Sequence, residues 1–164
     1  MAIHIYTGNG KGKTTCAVGL AARCAGHGKK VCFYQFLKCE PSGECAALSE
    51  LVEFHCVKEK FGFVINMTES QKKEVREKTR ALFAEACNEK CDMLVLDEIL
   101  GAISCEFITE QEVLEYVKNA DCEVVLTGRD ASDTLIEAAD CVTEMKAVKH
   151  IYEKGVSARC GIEF

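Results

Sequence analysis

The sequence predicts an α/β fold with a mainly parallel sheet, because short apolar runs alternate with stretches of helical periodicity. Several of these runs are apolar throughout, as in strands that are buried on both faces of a sheet. A glycine-rich loop joins the first apolar run to the first helical stretch. The predicted strands are Ile3–Tyr6, Val31–Phe36, Val52–Val57, Met93–Leu96, Val124–Thr127 and Cys141–Met145.

The glycine-rich loop at residues 7–15 reads TGNGKGKTT and precedes an alanine-rich helix predicted over Thr14–Ala25. In this setting, backbone N–H groups and the helix N-terminus bind phosphate. Lys13 supplies a mobile cation, and the Thr14 hydroxyl is placed for a magnesium ion. In this chain, Thr7 stands where the general pattern G-x-x-x-x-G-K-S/T has its first glycine. We therefore expect the backbone path of the loop to differ from that of an ordinary kinase or GTPase. A glycine-rich turn without a ligand is the alternative.

The parallel sheet and this loop together predict a P-loop NTPase (RecA-like) three-layer fold that binds a nucleotide polyphosphate. Sequences at residues 68–71 and 109–112 fit the capping box of a helix N-terminus. Ser132 is predicted to cap a short helix. Core packing against the sheet is predicted for the apolar stripes of these helices, which consist of Val75, Leu82, Phe83, Ala86, Val113, Leu114, Val117, Leu135, Ile136 and Ala139.

Two strand ends carry further charged residues. Asp97 and Glu98 follow a buried strand, where an acidic residue holds magnesium directly or through water in folds of this kind. We therefore expect one of them to be the partner of Thr14 in a metal site, although an Asp-Glu pair can also simply cap the next helix. Arg129 follows another strand and is a candidate for neutralising a phosphate or contacting a second ligand; a solvated surface arginine is the alternative.

Composition narrows the functional classes. The 164 residues are most simply one domain, spanning 1–164. A net charge of −6 gives no general attraction to nucleic acid or to an anionic membrane, and no apolar run is long enough to span a bilayer. We expect a cytoplasmic protein without a signal peptide.

The twelve cysteines include no C-x-x-C pair, so a zinc or redox motif is not indicated. We interpret them as thiols, with Cys32 and Cys141 acting as small hydrophobic residues in apolar runs. A disulfide scaffold is disfavoured because the chain has a full core pattern. None of the four histidines has an evident carboxylate partner in the sequence; they are His4, His27, His55 and His150.

On residue chemistry alone, the sequence indicates a magnesium-dependent enzyme that uses a nucleoside triphosphate, with hydrolase, kinase and other transferase all open. Beyond this chemistry, the chain resembles the P-loop type of ATP:corrinoid adenosyltransferase, which acts in cobalamin synthesis and salvage. The resemblance runs through segments at residues 5–15 (IYTGNGKGKTT), 26–31 (GHGKKV), 35–38 (QFLK), 96–98 (LDE), 126–129 (LTGR), 148–150 (VKH), 155–156 (GV) and 161–164 (GIEF). The threonine at position 7 is usual in this family.

The resemblance implies transfer of the 5′-deoxyadenosyl group of ATP to the cobalt(I) of a reduced corrinoid, with triphosphate as the leaving group. Cobalt(I) is itself the nucleophile, so the protein positions the reactants and stabilises the leaving group. Triphosphate contacts are implied for Gly8, Asn9, Gly10, Lys11, Gly12, Lys13, Thr14 and Thr15. Metal ligation is implied for Thr14 and Glu98. Asp97 is implied either to lie behind these ligands or to be an alternate ligand. The implied catalytic residues are Lys13, Thr14 and Glu98, and weaker nucleotide or corrinoid contacts are implied for Arg23 and Arg129.

The resemblance also implies a corrinoid contact at Phe63 and Ile65, whose apolar side chains would exclude a lower axial ligand of the cobalt. Core packing is the alternative for Phe63. The family commonly has tryptophan where this chain has Ile65, and relatives carry an extra segment before the first strand, for which a neighbouring subunit or loop is the expected substitute. A homodimer and a reduced flavoprotein electron donor are further expectations. Two other functions stay open: a P-loop ATPase or kinase acting at the γ-phosphate, and a nucleotide- or corrinoid-binding module without transfer activity.

Overall fold

The described residues form one six-stranded parallel sheet with helices on both faces. The structure is a computed structural model that describes residues 1–38, 42–57 and 67–163. The strands are β1 (Ile3–Thr7), β2 (Val31–Gln35), β3 (Glu53–Cys56), β4 (Met93–Asp97), β5 (Glu123–Thr127) and β6 (Cys141–Glu144). The helices are α1 (Lys13–Ala25), α2 (Gly43–Ala47), α3 (Glu69–Cys87), α4 (Ile99–Ser104), α5 (Glu110–Asn119) and α6 (Asp133–Ala138), and a 3-10 turn spans Ile151–Lys154.

The strand order is β3-β2-β4-β5-β1-β6, and every neighbouring pair is parallel. The α/β fold with a parallel sheet is therefore confirmed, and each predicted strand is present. Because all strands point the same way, their carboxyl ends share one edge of the sheet, where ligands bind in folds of this type. The glycine loop after β1 and the acidic pair at the end of β4 both lie at this edge.

Two apolar layers hold the helices to the sheet. On one face, the alanine stripe of α1 packs on residues of β2, β4 and β5; this stripe is Ala17, Ala21 and Ala25. On the other face, α3, α4, α5 and α6 cover alternate residues of the same strands. Small alanine side chains let α1 lie close to the sheet, which brings its N-terminus to the end of β4. These layers confirm the three-layer arrangement.

The helix-start predictions are confirmed by the caps. The side chains of Thr68 and Thr109 each form a complete capping box, and the Ser132 hydroxyl accepts a hydrogen bond from the Leu135 amide. The predicted stripes of α3 and α5 are buried. In the short α6, however, Leu135 alone is buried, while Ile136 is exposed, so the prediction of a core position for Ile136 was wrong.

The outermost strand β6 differs from the expectation for a buried strand. All four of its residues are exposed, since β1 is its only partner among the described strands and it lies at an edge of the sheet. Cys141 is therefore an exposed thiol and not a core residue, whereas Cys32 is fully buried as predicted. Within the described part of the chain, no helix combines the length and apolarity needed to cross a membrane.

Candidate active site

The loop between β1 and α1 is shaped by close contact with the backbone that follows β6. The amide of Gly10 donates a hydrogen bond to the Met145 carbonyl, and the Met145 amide donates to Thr7 O at 2.8 Å. A Cβ atom at Gly8 or Gly10 would lie 2.6 or 2.5 Å from the Met145 carbonyl oxygen, which is too close for any side chain. These two glycines thus give room for residue 145, which explains why they lie inside the loop rather than at its start.

Lys13 opens α1 and turns back across the loop. Its Nζ donates hydrogen bonds to the carbonyl oxygens of Gly8 at 2.8 Å and Gly10 at 3.0 Å. The side chain is buried, and burial lowers the pKa of its ammonium group, with the nearby Arg129 charge acting in the same direction. A desolvated ammonium at this position interacts strongly with an incoming anion, because little water screens it.

Thr14 and the buried end of β4 form a hydrogen-bonded cluster beneath the loop. Asp97 is fully buried, and its Oδ1 accepts hydrogen bonds from Thr14 Oγ1 at 2.9 Å and Thr127 Oγ1 at 2.7 Å. Its Oδ2 accepts from Lys38 Nζ at 3.0 Å. Three donors from different parts of the chain bind this carboxylate, so its orientation is fixed. The arrangement brings together the predicted metal partners Thr14 and Asp97.

Glu98, the next residue, has an unusual backbone. Its φ of 61° places it in the left-handed region, which costs a non-glycine residue about 1 kcal/mol or more. Its amide donates to Thr127 Oγ1 at 2.9 Å, which holds this conformation. Desolvation, supported by the neighbouring Asp97 charge, raises the pKa of the Glu98 carboxyl group. Both the left-handed backbone and the desolvated carboxyl group of Glu98 destabilise the folded protein. Features of this kind cluster at functional sites.

A cleft of about 550 Å³ opens beside these residues, lined by Thr14, Thr15, Val18, Lys38, Gly43, Glu44, Glu98 and the turn at residues 161–163. Lys11 connects the glycine loop to this turn. Its Nζ donates to the Ile162 carbonyl at 2.8 Å and to Glu163 Oε1 at 2.6 Å. Arg159 also binds the Glu163 carboxylate. The C-terminal turn therefore forms one wall of the cleft.

The remaining predicted contact residues are not all gathered at the cleft. Asn9 is exposed on the loop, and Thr15 faces the cleft. Arg129 is exposed but near enough to act electrostatically on Lys13 and Glu98. Arg23, by contrast, lies in the last turn of α1, about 15 Å along the helix from Lys13 at 1.5 Å per residue. The structure thus does not bring Arg23 to the loop. The predicted corrinoid contacts Phe63 and Ile65 lie outside the described residues.

Two residues of the site were not predicted. Lys38 and Thr127 both bind Asp97, yet they lie in other parts of the sequence. Their positions could have indicated this role. Each stands at or just after the carboxyl end of a predicted strand, and in the structure both of these strands pair with β4, which ends in Asp97. The carboxylate partners of two histidines were also not predicted. His4 Nε2 lies 2.8 Å from Glu123 Oε1, and His55 Nδ1 lies 2.9 Å from Glu85 Oε1.

The fold and this cleft define a nucleotide-binding protein of the P-loop class, with a lysine, a threonine and two strand-end carboxylates at one edge of a parallel sheet. A search of solved structures agrees on the fold. The flagellar accessory protein FlaH from Methanocaldococcus jannaschii superposes with a TM-score of 0.55 at 15% identity, covering 87% of this chain and 70% of that one. At this identity the likeness concerns the fold alone.

Sequence comparison gives the family. The family described as ATP:corrinoid adenosyltransferase BtuR/CobO/CobP matches residues 1–164. A corrinoid adenosyltransferase of Escherichia coli is 36% identical over 166 residues, covering 99% of this chain and 85% of that protein. One from Pseudomonas aeruginosa is 37% identical over 170 residues, covering 98% and 82%. The chain therefore belongs to the ATP:corrinoid adenosyltransferase family.

Proposed function

We propose that this chain transfers the 5′-deoxyadenosyl group of ATP to the cobalt(I) of a reduced corrinoid, releasing triphosphate, in cobalamin synthesis or salvage. Membership of the family across residues 1–164 supports this function. The observation that carries it in the structure is the glycine loop whose Lys13 and Thr14 face the buried Asp97 and the desolvated Glu98 beside one cleft.

The glycine loop is the proposed triphosphate site. Backbone amides of the loop, the N-terminus of α1 and the Lys13 ammonium provide positive charge at one place. In adenosyl transfer, negative charge develops on the departing triphosphate, so donors fixed before the reaction stabilise the transition state more than the substrate. Lys11 and Asn9 extend this donor set along the exposed side of the loop. Thr15 continues it along the cleft, and Arg129 is a more distant contributor.

The same cluster fits a magnesium ion, since its donors are hydroxyl and carboxylate oxygens. Thr14 and Glu98 are the proposed ligands, and Asp97 orients Thr14 through the 2.9 Å hydrogen bond between their side chains. The contacts of Asp97 support a role beside the ligands, because its two oxygens accept hydrogen bonds from Thr14, Thr127 and Lys38. Magnesium would supply charge compensation for the triphosphate.

The proposed reaction needs no nucleophile from the protein. Cobalt(I) attacks the ribose C5′ atom, the cobalt–carbon bond forms, and the C5′–O5′ bond breaks with its electron pair leaving on the triphosphate. The task of the chain is then to keep C5′ in line with cobalt and to exclude water. We place the corrinoid near Phe63 and Ile65 on the basis of the family resemblance. A reduced flavoprotein as electron donor, a homodimer and a cytoplasmic location complete the proposal.

The test is anaerobic incubation of the protein with Mg²⁺, ATP and a chemically reduced corrinoid. The proposal expects a light-sensitive cobalt–carbon product whose formation requires all three. Failure with every corrinoid tried, under conditions in which the protein binds ATP, would reject it.

A second candidate is hydrolysis at the γ-phosphate, which the raised pKa and strand-end position of Glu98 favour because a carboxylate there can orient water. Release of orthophosphate at the same rate with and without corrinoid would favour this second function.

A further inference from the structure

A second group of metal-binding side chains lies away from the cleft, between strand β3 and the end of α3. His55 and Glu85 approach within 2.9 Å through Nδ1 and Oε1, and Glu89 joins them so that the three ligand atoms lie within 4.8 Å of one another. Cys32, Glu53 and Glu89 form an adjoining group by the same criterion. Glu89 belongs to both groups and connects them.

The topology explains how these residues meet. His55 stands opposite Tyr34 in the β2–β3 register, and Cys32 stands opposite Glu53 two residues earlier. All four point to the face of the sheet that α3 covers. Glu85 lies in the last turn of α3, and Glu89 follows two residues after the helix ends at Cys87; Tyr34 Oη contacts both carboxylates. The donors therefore come from two strands and a helix end, which hold them in place.

One distance within the first group suits two ligands of a shared ion. Ligand atoms placed about 2.0–2.2 Å from a divalent ion lie roughly 3 Å apart, which matches the 2.9 Å between His55 Nδ1 and Glu85 Oε1. Tyr34 Oη lies 3.2 Å from Oε1 of both Glu85 and Glu89 and so positions the two carboxylates. The His55 ring stacks on the Tyr34 ring with centroids 4.3 Å apart, which fixes its orientation.

Charge balance also favours a cation. Within the part of the chain that the structure describes, three carboxylates (Glu53, Glu85 and Glu89) face one ammonium group, that of Lys30, which contacts Glu53 and Glu89 at 3.4 Å each. Of the two ring nitrogens of His55, Nδ1 is the one that faces a carboxylate; Nε2 is buried and has no hydrogen-bond partner among the described residues.

We propose that His55, Glu85 and Glu89 bind a divalent transition-metal ion of the zinc or cobalt type, at a site separate from the nucleotide cleft. One imidazole nitrogen and two carboxylates suit such ions better than Mg²⁺, which takes oxygen ligands. Cys32 is not assigned as a ligand, because it belongs to the adjoining group and shares only Glu89 with this one. The ion joins the edge strand β3 to α3.

The test is equilibrium dialysis of the untagged, full-length protein against Co²⁺ in excess Mg²⁺ without nucleotide, followed by metal analysis and visible absorption. We expect one tightly bound Co²⁺ per chain, with d–d absorption and an increase in the unfolding temperature. His55→Gln should weaken binding by more than about 100-fold, since even outer contacts of a metal site contribute about 10-fold to 100-fold. Glu85→Gln should do the same if His55→Gln folds poorly.

Glu77→Gln is the matched control, since it removes the same charge from an exposed position of α3, and it should bind Co²⁺ like the unmodified protein. Binding that is equal in His55→Gln, Glu85→Gln and Glu77→Gln, or a thiolate-to-cobalt charge-transfer band, would place the ion elsewhere and overturn the proposal. Absence of stoichiometric binding would overturn it too, leaving a His55–Glu85 ion pair. These readouts do not depend on adenosyl transfer.

Discussion

Thr14 Oγ1 donates a 2.9 Å hydrogen bond to Asp97 Oδ1 across 83 positions of sequence. This contact joins the first turn of α1 to the end of β4, a strand in the interior of the sheet. Because Asp97 is fully buried and also bound by Thr127 and Lys38, it cannot turn away from Thr14. The loop that precedes Thr14 is thereby fixed relative to the sheet before any ligand binds.

The first prediction concerns this hydrogen bond. Thr14→Ala removes one donor from a buried carboxylate and one proposed metal ligand, and a hydrogen bond to a charged group contributes about 1.5–3 kcal/mol. We expect kcat/KM for ATP to fall at least about tenfold. Steady-state kinetics and calorimetric titration with ATP, each with and without Mg²⁺, provide the measurement. Thr14→Ser keeps the hydroxyl and should retain most activity; equal losses in both variants would contradict the role of the hydroxyl.

A second prediction separates activity from stability at Lys13. Lys13→Met keeps an apolar stem but removes the ammonium, so kcat should fall by about 100-fold to 1,000-fold, as for other fixed transition-state donors. The lowered pKa of Lys13 means that its charged form is disfavoured in the folded protein, and this cost is present at neutral pH. The unfolding temperature of Lys13→Met should therefore equal or exceed that of the unmodified protein.

The control for Lys13 is Lys118→Met, which removes an exposed charge at the end of α5 and should change neither quantity. Near-normal turnover in Lys13→Met would remove this lysine from the mechanism.

A third prediction uses pH. The folded state raises the pKa of Glu98 above its ordinary value of 4.5, so the protonated form is favoured by folding. Stability from this group is present below pH 4.5 and is lost as the pH rises through the raised pKa. Gln has no carboxyl group to ionise, so Glu98→Gln does not lose this stability. Its free energy of unfolding, relative to that of the unmodified protein, should rise with pH above about 4.5 and then level off. Its activity should decrease.

Urea unfolding at a series of pH values measures this difference. Glu106→Gln is a close control, because Glu106 also has a left-handed backbone, with φ of 58°, but is exposed. A stability difference for Glu98→Gln that does not vary with pH would show that its carboxyl group is not desolvated.

The loop glycines give a fourth prediction. In Gly10→Ala the new Cβ would lie 2.5 Å from the Met145 carbonyl oxygen, and overpacking of this kind costs about 1–3 kcal/mol. The loop must shift, so ATP affinity should fall together with stability. Gly19→Ala, in the interior of α1, meets nothing within 4 Å and should stabilise the protein by about 1 kcal/mol. Thermal unfolding and ATP titration of both variants test this, and unchanged ATP affinity in Gly10→Ala would contradict the packing argument.

The fold could be predicted because its determinants are local. Apolar runs set the strands, and threonine caps set the starts of α3 and α5. The exposure of Ile136 and Cys141 could not be predicted in the same way, because apolar composition does not show which strand lies at the edge or which helix is too short to bury a second residue. Burial there depends on neighbours that are distant in sequence.

Residues of the candidate site could be predicted where they belong to a recognisable motif. Residues that reach the site from other parts of the sequence were missed. Lys13, Thr14 and Asp97 follow from the loop and one strand end, whereas Lys38 reaches Asp97 from 59 positions away. The position of Arg23 away from the loop could have been predicted, since an uninterrupted helix carries it about 15 Å from Lys13; its contact with nucleotide or corrinoid stays a prediction. His55 and Glu85 come together only because the β2–β3 register and α3 place them so.

The most direct test of the proposed function is the chemical identity of the phosphorus-containing product. Phosphorus NMR of a completed reaction with Mg²⁺, ATP and chemically reduced corrinoid distinguishes intact triphosphate from ADP and orthophosphate. The proposal predicts triphosphate in equal amount to the cobalt–carbon bond formed, because the C5′–O5′ bond is the one that breaks. ADP and orthophosphate as the products, with the corrinoid left unmodified, would contradict it and indicate attack at the γ-phosphate.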